Sequence, residues 1–465
     1  MANREEIRLA NIAPAIIDVM DQIKSAYGSF ETHPSQQVDP LRVTQVLGDL
    51  TDRLQDNYPY FHPRYAGQML KPAHPIAMAA YIATMMLNPN NQSIDGGKAT
   101  TLLEREVVKK LADMFGYPDS HIGHLTWSGT TANLEALWVG RELNPSGAIA
   151  HSADAHYTHS RMGEVLNVPT IAIETDDHGR IRLDALEEQL KTGKIATIVA
   201  TLGTTGLGAV DPLADIIPLA RNYGARVHVD TAYGGFFRLI SDNHLSAEVA
   251  RHYRAIAESD SVVVDPHKHG LQPYGCGAVL FRDVTVGRFY KHDSPYTYFS
   301  SKDLHFGEIQ LECSRAGASA AALWATLEVF PLNESGLGQV LLGARRAATR
   351  WHELLQSSEV LMPLQEPELD ILGYLPRIKS LKTLDEISQK IFEACSRRAP
   401  DEQVHIATYM LKPEGFERRG ISVSRDADSA RILRSVLMKP EHEYWVEELN
   451  AQIEEQAKQI IGELK

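Results

Sequence analysis

Long apolar runs are missing from this 465-residue chain. No uninterrupted span of ~18 apolar residues occurs, which excludes a helix crossing a bilayer. Cysteine is scarce: Cys276, Cys313 and Cys395 make an odd number without paired spacing, which excludes a disulfide scaffold and fits a reducing cytosol. Positive charge is in deficit, with 46 Lys and Arg against 60 Asp and Glu and a formal net charge of −14. That balance argues against nucleic acid or an anionic membrane surface as the main partner. Nucleotide signatures are absent as well. DGGKATT lacks the first glycine of a phosphate-binding loop and a hydroxyl directly after its lysine, and the glycines of GTTGLG are not spaced as G-x-G-x-x-G. HSADAHYTHS groups His151, His156 and His159, but no H-E-x-x-H or Cys-pair spacing accompanies them, so no metal site is expected. The opening MANREEIRLA mixes charges of both signs and has no apolar leader core, so a soluble cytoplasmic protein is expected.

The remaining composition, 43% apolar and 23% charged, is ordinary for a globular protein. Its length exceeds the ~250–300 residues at which single cores stop growing, so more than one domain is expected. Residues 4–27 carry isoleucines and a methionine at near-helical spacing, and residues 1–60 read as a helical segment suited to packing on a second subunit. NYPYFHPRYAGQMLKPAHP reads as a loop that lines something, followed by helices at 75–87 and about 101–114. From there short apolar runs alternate with helical ones: HLTWSGTTANLEALWVGREL reads as strand, tight turn and helix, and AIAHS, TIAIE, IATIVATLG, ARVHVDTAY, SVVVDPH and CGAVLFR are further strand candidates, with helices at 183–191 and 212–222. The alternation predicts an α/β large domain, residues 61–335, with a mostly parallel sheet covered by helices. Past Pro331 come a long helix in ESGLGQVLLGARRAATRWHELLQSSE, strands DILGYLPRI and HIATYML, and helices at 382–396 and 443–464. This pattern predicts a smaller α+β domain over 336–465.

The chemistry sits at strand ends. In SVVVDPHKHG a β-branched run delivers Asp265, Pro266, His267 and Lys268 to the edge where open α/β sheets bind ligands. Poor solvation there would free the Lys268 amine for Schiff-base chemistry, although most lysines are simply solvated. Gly270 supplies backbone freedom for the chain to turn away. Asp230 ends the strand of ARVHVDTAYGG. It reads as an acid holding a protonated ring nitrogen, as a metal or nucleotide acid, or as a hydrogen-bonded structural aspartate. In WSGTTAN, Ser128, Gly129 and Thr130 lie between strand and helix, where backbone N–H groups meet an anion, or where the serine is only an N-cap. A phosphate cradle, a buried acid and an amine match the phosphate, ring nitrogen and aldehyde of pyridoxal 5'-phosphate.

In this order WSGTTAN, HSADAHYTHSR, ATLGTTGLGAVDP, HVDTAYGG and DPHKHGLQPYGCGAVLFR resemble the motif series of the group II pyridoxal phosphate-dependent amino-acid decarboxylases, most of all the tyrosine/aspartate decarboxylase branch. The resemblance implies an aspartate aminotransferase-like fold (fold type I), decarboxylation of an aromatic or acidic L-amino acid to the amine and CO2, and a homodimer. It implies that Lys268 carries the cofactor and that Asp230 keeps the pyridine nitrogen protonated. His156 and Ala232 would pack on the two faces of the ring, Thr201 would lie near its 3′-oxygen or carboxylate side, and Ser128, Gly129, Thr130 and His267 would hold the phosphate. The alternative for His156 is a satisfied core histidine. By the same resemblance a tyrosine of KHDSPYTYFSSKD, Tyr296 in preference to Tyr298, returns the proton to Cα, and Arg434 in SARILRSVLMKP meets the substrate carboxylate. Phe61 and Tyr65 of FHPRYAGQM are candidates for the substrate pocket. Two departures stand out: His269 follows the lysine where many relatives have an aromatic or Met, and Ser128 stands where a glycine is common. An aldehyde-forming oxidative decarboxylase or a carbon–carbon lyase on the same cofactor is the alternative outcome, and a cofactor-binding protein without turnover a further one.

Overall fold

The computed structural model describes residues 8–291, 310–399 and 402–463. The apolar runs become strands β1 (Ile122–Thr126), β2 (Ala148–Ser152), β3 (Thr170–Ile173), β4 (Ile195–Thr201), β5 (Arg226–Asp230), β6 (Ser261–Val264) and β7 (Gly277–Phe281). They form one seven-stranded sheet in the order β1-β7-β6-β5-β4-β2-β3. Neighbours from β3 to β6 pair in parallel, while β7 pairs antiparallel with both β6 and β1. Every residue of β4 and β6 is buried, as expected for strands covered on both faces. One face packs Val107, Phe115, Ile198, Val229 and Phe236; the other packs Val139, Val263, Val279 and Phe281. The helix Gly129–Leu143 lies on that second face, and a Cβ on Gly140 would sit 2.7 Å from Thr197 Oγ1, so a larger residue would hold the helix off the sheet.

A second, antiparallel sheet builds the small domain from β8 (Leu361–Pro363), β9 (Ile371–Pro376), β10 (Ala407–Leu411) and β11 (Ala430–Val436), in the order β10-β11-β9-β8. Helices Leu337–Ser357, Leu381–Ser396 and His442–Gly462 cover it around Trp351, Ile387, Leu433 and Val446. The interior strand β11 was not expected, because SARILRSVLMKP carries two arginines that interrupt the apolar pattern. The helix Gly317–Val329 was not expected either; it is alanine-rich and apolar all round, so it has no amphipathic stripe to announce it.

The expected helices at 4–27, 75–87 and 101–114 correspond to Leu9–Ser25, Pro75–Met85 and Lys98–Phe115. A further helix, Pro40–Leu54, starts where Asp39 accepts from Leu41 N at 3.0 Å and Pro40 takes the first helical position. None of its residues is buried, and Leu41, Leu47, Leu50 and Leu54 are 72%, 56%, 47% and 57% exposed. Such a stripe on an amphipathic helix is left uncovered by the described residues. The aromatic loop ahead of Pro75 runs along the small domain: Ala66 N donates to His405 O and Val436 N donates to Ala66 O. No helix among the described residues is long and apolar enough to cross a membrane.

Candidate active site

A cavity of about 250 Å³ opens at the carboxyl ends of the parallel strands. Ser128, Gly129 and Thr130 enter it after β1, His156 after β2, Thr201 and Asp230 at the ends of β4 and β5, Ala232 just beyond, and His267 and Lys268 after β6. The fold thus brings together residues that are far apart in the chain, at the edge where open α/β sheets take their ligands.

Asp230 is the electrostatic centre. His159 Nε2 donates to its Oδ2 at 2.9 Å and Ala232 N to its Oδ1 at 3.0 Å. Burial alone would raise its pKa, but the hydrogen bond and charge of His159, the Ala232 N–H and the charge on Lys268 outweigh burial and hold the carboxyl well below its usual range. The result is a buried acid kept ionised, facing the cavity. His159 is the functional residue that the sequence reading passed over. It was grouped with His151 and His156 only as a metal candidate, and the three do not converge. His151 Nδ1 faces Ser152 O and His156 Nδ1 faces the N–H and hydroxyl of Thr158.

His156 presents its ring at the cavity wall, tilted against Tyr157 with centroids 4.3 Å apart. Burial lowers its pKa, so the imidazole is neutral at neutral pH, and the proton sits on the nitrogen away from Thr158. Thr201 is pinned through its backbone, whose N–H donates to Asp211 Oδ2 at 2.7 Å; Asp211, pushed up to about 7 by burial, also accepts from Ile181 N. The Thr201 hydroxyl itself is buried with no hydrogen-bond partner among the described residues, as is His267 Nδ1. Unpaired buried polar atoms on a cavity wall are positions where a ligand's polar atoms belong.

At the anion end, Ser128 caps the helix Gly129–Leu143 by accepting from Thr131 N. A Cβ on Gly129 would lie 2.6 Å from Asp265 Oδ2, so only glycine lets the helix start this close to the strand end. Asn133, one turn on, donates to Gly129 O and accepts from His228, holding that turn in place; four-residue spacing from Gly129 was the available signal for it. Asp265 pairs with Lys268 Nζ at 2.9 Å, and the His267 ring stacks on Tyr274 at 4.6 Å. The chain then turns, but not as the sequence suggested. Leu271 takes the left-handed conformation, with φ of 63°, whereas Gly270 is there for room: a Cβ on it would meet Pro266 Cα at 2.7 Å.

Three expected substrate-side residues lie elsewhere in this chain. Phe61 is 72% exposed, and Tyr65 is buried beside a separate cleft with Tyr58, Gly67 and His405. Arg434 is buried with its guanidinium donating to the carbonyls of Thr205, Gly206 and Gly67, so it clamps the loop after β4 with the donors it was expected to offer a carboxylate. Tyr296 and Tyr298 lie outside the described residues.

The model of the pyridoxal-dependent decarboxylase conserved domain matches residues 29–359. The chain belongs to this family. It is 26% identical over 463 residues to an L-tyrosine decarboxylase of Enterococcus faecium, covering 76% of each chain, and 33% identical over 383 residues to an L-2,4-diaminobutyrate decarboxylase of Rhizobium meliloti, again 76% of each. The crystal structure of Oryza sativa TDC with PLP and tryptamine superposes with a TM-score of 0.79 at 17% identity, over 97% of both chains. Pyridoxal-dependent decarboxylases act on amino acids, and pyridoxal phosphate is the cofactor of this one. The cavity fits that group on its own terms: a glycine-floored helix start for the phosphate, an ionised acid for a protonated ring nitrogen, an amine, and two buried polar atoms without a partner among the described residues.

Proposed function

We propose that this decarboxylase takes an aromatic or acidic L-amino acid. The chemistry rests on the convergence of Lys268, the ionised Asp230 and the half-buried His156 on one cavity, and the substrate class on the likeness of DPHKHGLQP to the tyrosine/aspartate decarboxylase branch. Bound pyridoxal phosphate supplies an electron sink for the pair left on Cα when CO2 departs. The chain's own residues do the rest. Ser128, Gly129 and Thr130, with His267, bind the phosphate at a helix N-terminus, where the dipole favours an anion. Asp230, braced by His159, holds a proton at the ring nitrogen. His156 and Ala232 orient the ring from its two faces, the Thr201 hydroxyl meets its oxygen side, and Lys268 fixes its position. Tyr296 is our candidate for returning the proton to Cα, on the strength of the family motif. Incubation of the purified protein with single amino acids, reading amine and CO2, tests the reading. Equal amounts of CO2 and the amine of an aromatic or acidic amino acid support it; amine from a basic amino acid alone would overturn the substrate class, and aldehyde with ammonia and peroxide would replace it with the oxidative outcome.

The same reading places residues 1–60 at the interface of a homodimer, with domains over 61–335 and 336–465, in the cytoplasm. Support comes from the unpartnered stripe of Pro40–Leu54 and from three free cysteines. Replacing the exposed Leu47 with Glu is expected to lower the association constant by about a hundredfold or more, since a buried unpaired charge costs several kcal/mol. Sedimentation velocity across a dilution series checks this, and an unchanged species would remove the stripe from the interface.

A further inference from the structure

At the turn after β6 two neighbouring side chains diverge. Lys268 reaches the cavity, whereas His269 is fully buried behind it, edge-on to Tyr233 at 4.7 Å and Phe237 at 5.2 Å. His269 Nε2 lies 3.3 Å from Asp370 Oδ2. Asp370 belongs to the small domain: it immediately precedes β9, and its carbonyl accepts from Leu437 N. Its other carboxylate oxygen accepts from the Tyr233 hydroxyl at 2.7 Å. Tyr233 follows Ala232 and lines the cavity. One carboxylate from the small domain therefore holds a wall residue of the cofactor cavity by a hydrogen bond and lies against the imidazole next to the amine in sequence.

Burial of this kind needs compensation. Asp370 and His269 are 0% exposed and Tyr233 is 3% exposed. Burial pushes the Asp370 carboxyl up, but the contact with His269, the hydrogen bond from the Tyr233 hydroxyl and the charge of the nearby Lys71 outweigh it and hold the carboxyl below its usual range. A charge enclosed by these groups has little freedom to move without moving them.

We propose that Asp370 is a positioning residue, coupling the small domain to the cofactor-bearing lysine through His269 and to the cavity wall through Tyr233. Asp370 is not among the residues that line the cavity. The inference rests on Lys268 being the cofactor lysine. Asp370→Asn keeps the size and removes the charge. In the holoenzyme kcat is expected to fall by about tenfold to a hundredfold, the scale of a small misplacement of reacting groups, with KM for the amino acid changing less. The visible circular dichroism of the bound cofactor, recorded without substrate, is expected to change as well, because that band reports how the ring sits against its walls. Tyr233→Phe should reproduce part of the dichroism change, and the double variant should show less than the sum of the two. A lower unfolding temperature with wild-type kcat and dichroism would overturn the proposal, leaving Asp370 a purely structural residue. If Asp370→Asn does not fold, unchanged kcat and dichroism in Tyr233→Phe overturns it instead. Failure of borohydride to tag Lys268 in the wild type is a different result, which removes the lysine assignment itself.

Discussion

Lys268→Ala is expected to abolish turnover, on the order of 10⁶-fold in kcat, the scale seen when a covalent group is deleted from an enzyme. Lys268 Nζ lies 2.9 Å from Asp265 and lines the cavity with Asp230 and His156. Removing the amine leaves the phosphate turn and the ring-nitrogen acid intact, so the variant should still take up cofactor without a covalent link. Borohydride reduction followed by peptide mapping separates the two states: a tag on the peptide containing Lys268 in the wild type, and none in the variant. Retained turnover, or a tag on another lysine, would move the site.

Asp230→Asn should cost about 10²- to 10³-fold in kcat, comparable with removing one preorganised electrostatic partner from a buried site. The substitution preserves shape and deletes the charge that would hold a proton at the ring nitrogen. It also leaves His159 buried beside a neutral amide, worth about 1–3 kcal/mol of stability. Cofactor titration should show weaker but measurable binding, which separates loss of chemistry from loss of the site. The pH dependence has a definite sign. Asp230 is held below its unfolded pKa, so the native state binds fewer protons than the unfolded chain as pH falls through the ordinary carboxylate range. Its contribution is fully present above about pH 4 and drains away on acidification towards the native pKa. Thermal unfolding of the wild type should weaken over that interval, and Asp230→Asn should lack that part of the slope. Identical acid profiles in the two proteins would mean that Asp230 is not ionised by its surroundings.

The large sheet was legible because each of its strands is an apolar run bounded by turn residues, a local pattern that survives in the sequence. Its carboxyl edge was legible for the same reason: Thr201, Asp230 and Asp265 are the polar residues at which those runs stop, and Lys268 follows three positions after the last. Pairings across the sheet were not. His159 and Asp230 are 71 positions apart, and Tyr233 and Asp370 are 137 apart, so nothing in the spacing of either sequence segment announces them. Arg434 is a further case: on β11 its guanidinium donates to carbonyls of the loop after β4, a tertiary contact that its short motif does not announce. The helix Pro40–Leu54 could have been found, since its cap, its proline and its apolar spacing are all in the sequence.

The cavity draws its walls from strand ends spread between Ser128 and Lys268, and no single strand–helix unit contains more than a part of it. During refolding, therefore, the yellow colour of captured vitamin should emerge only after every one of those units has docked. Recovery of colour would report the last assembly step, lagging behind the helical signal in the far ultraviolet.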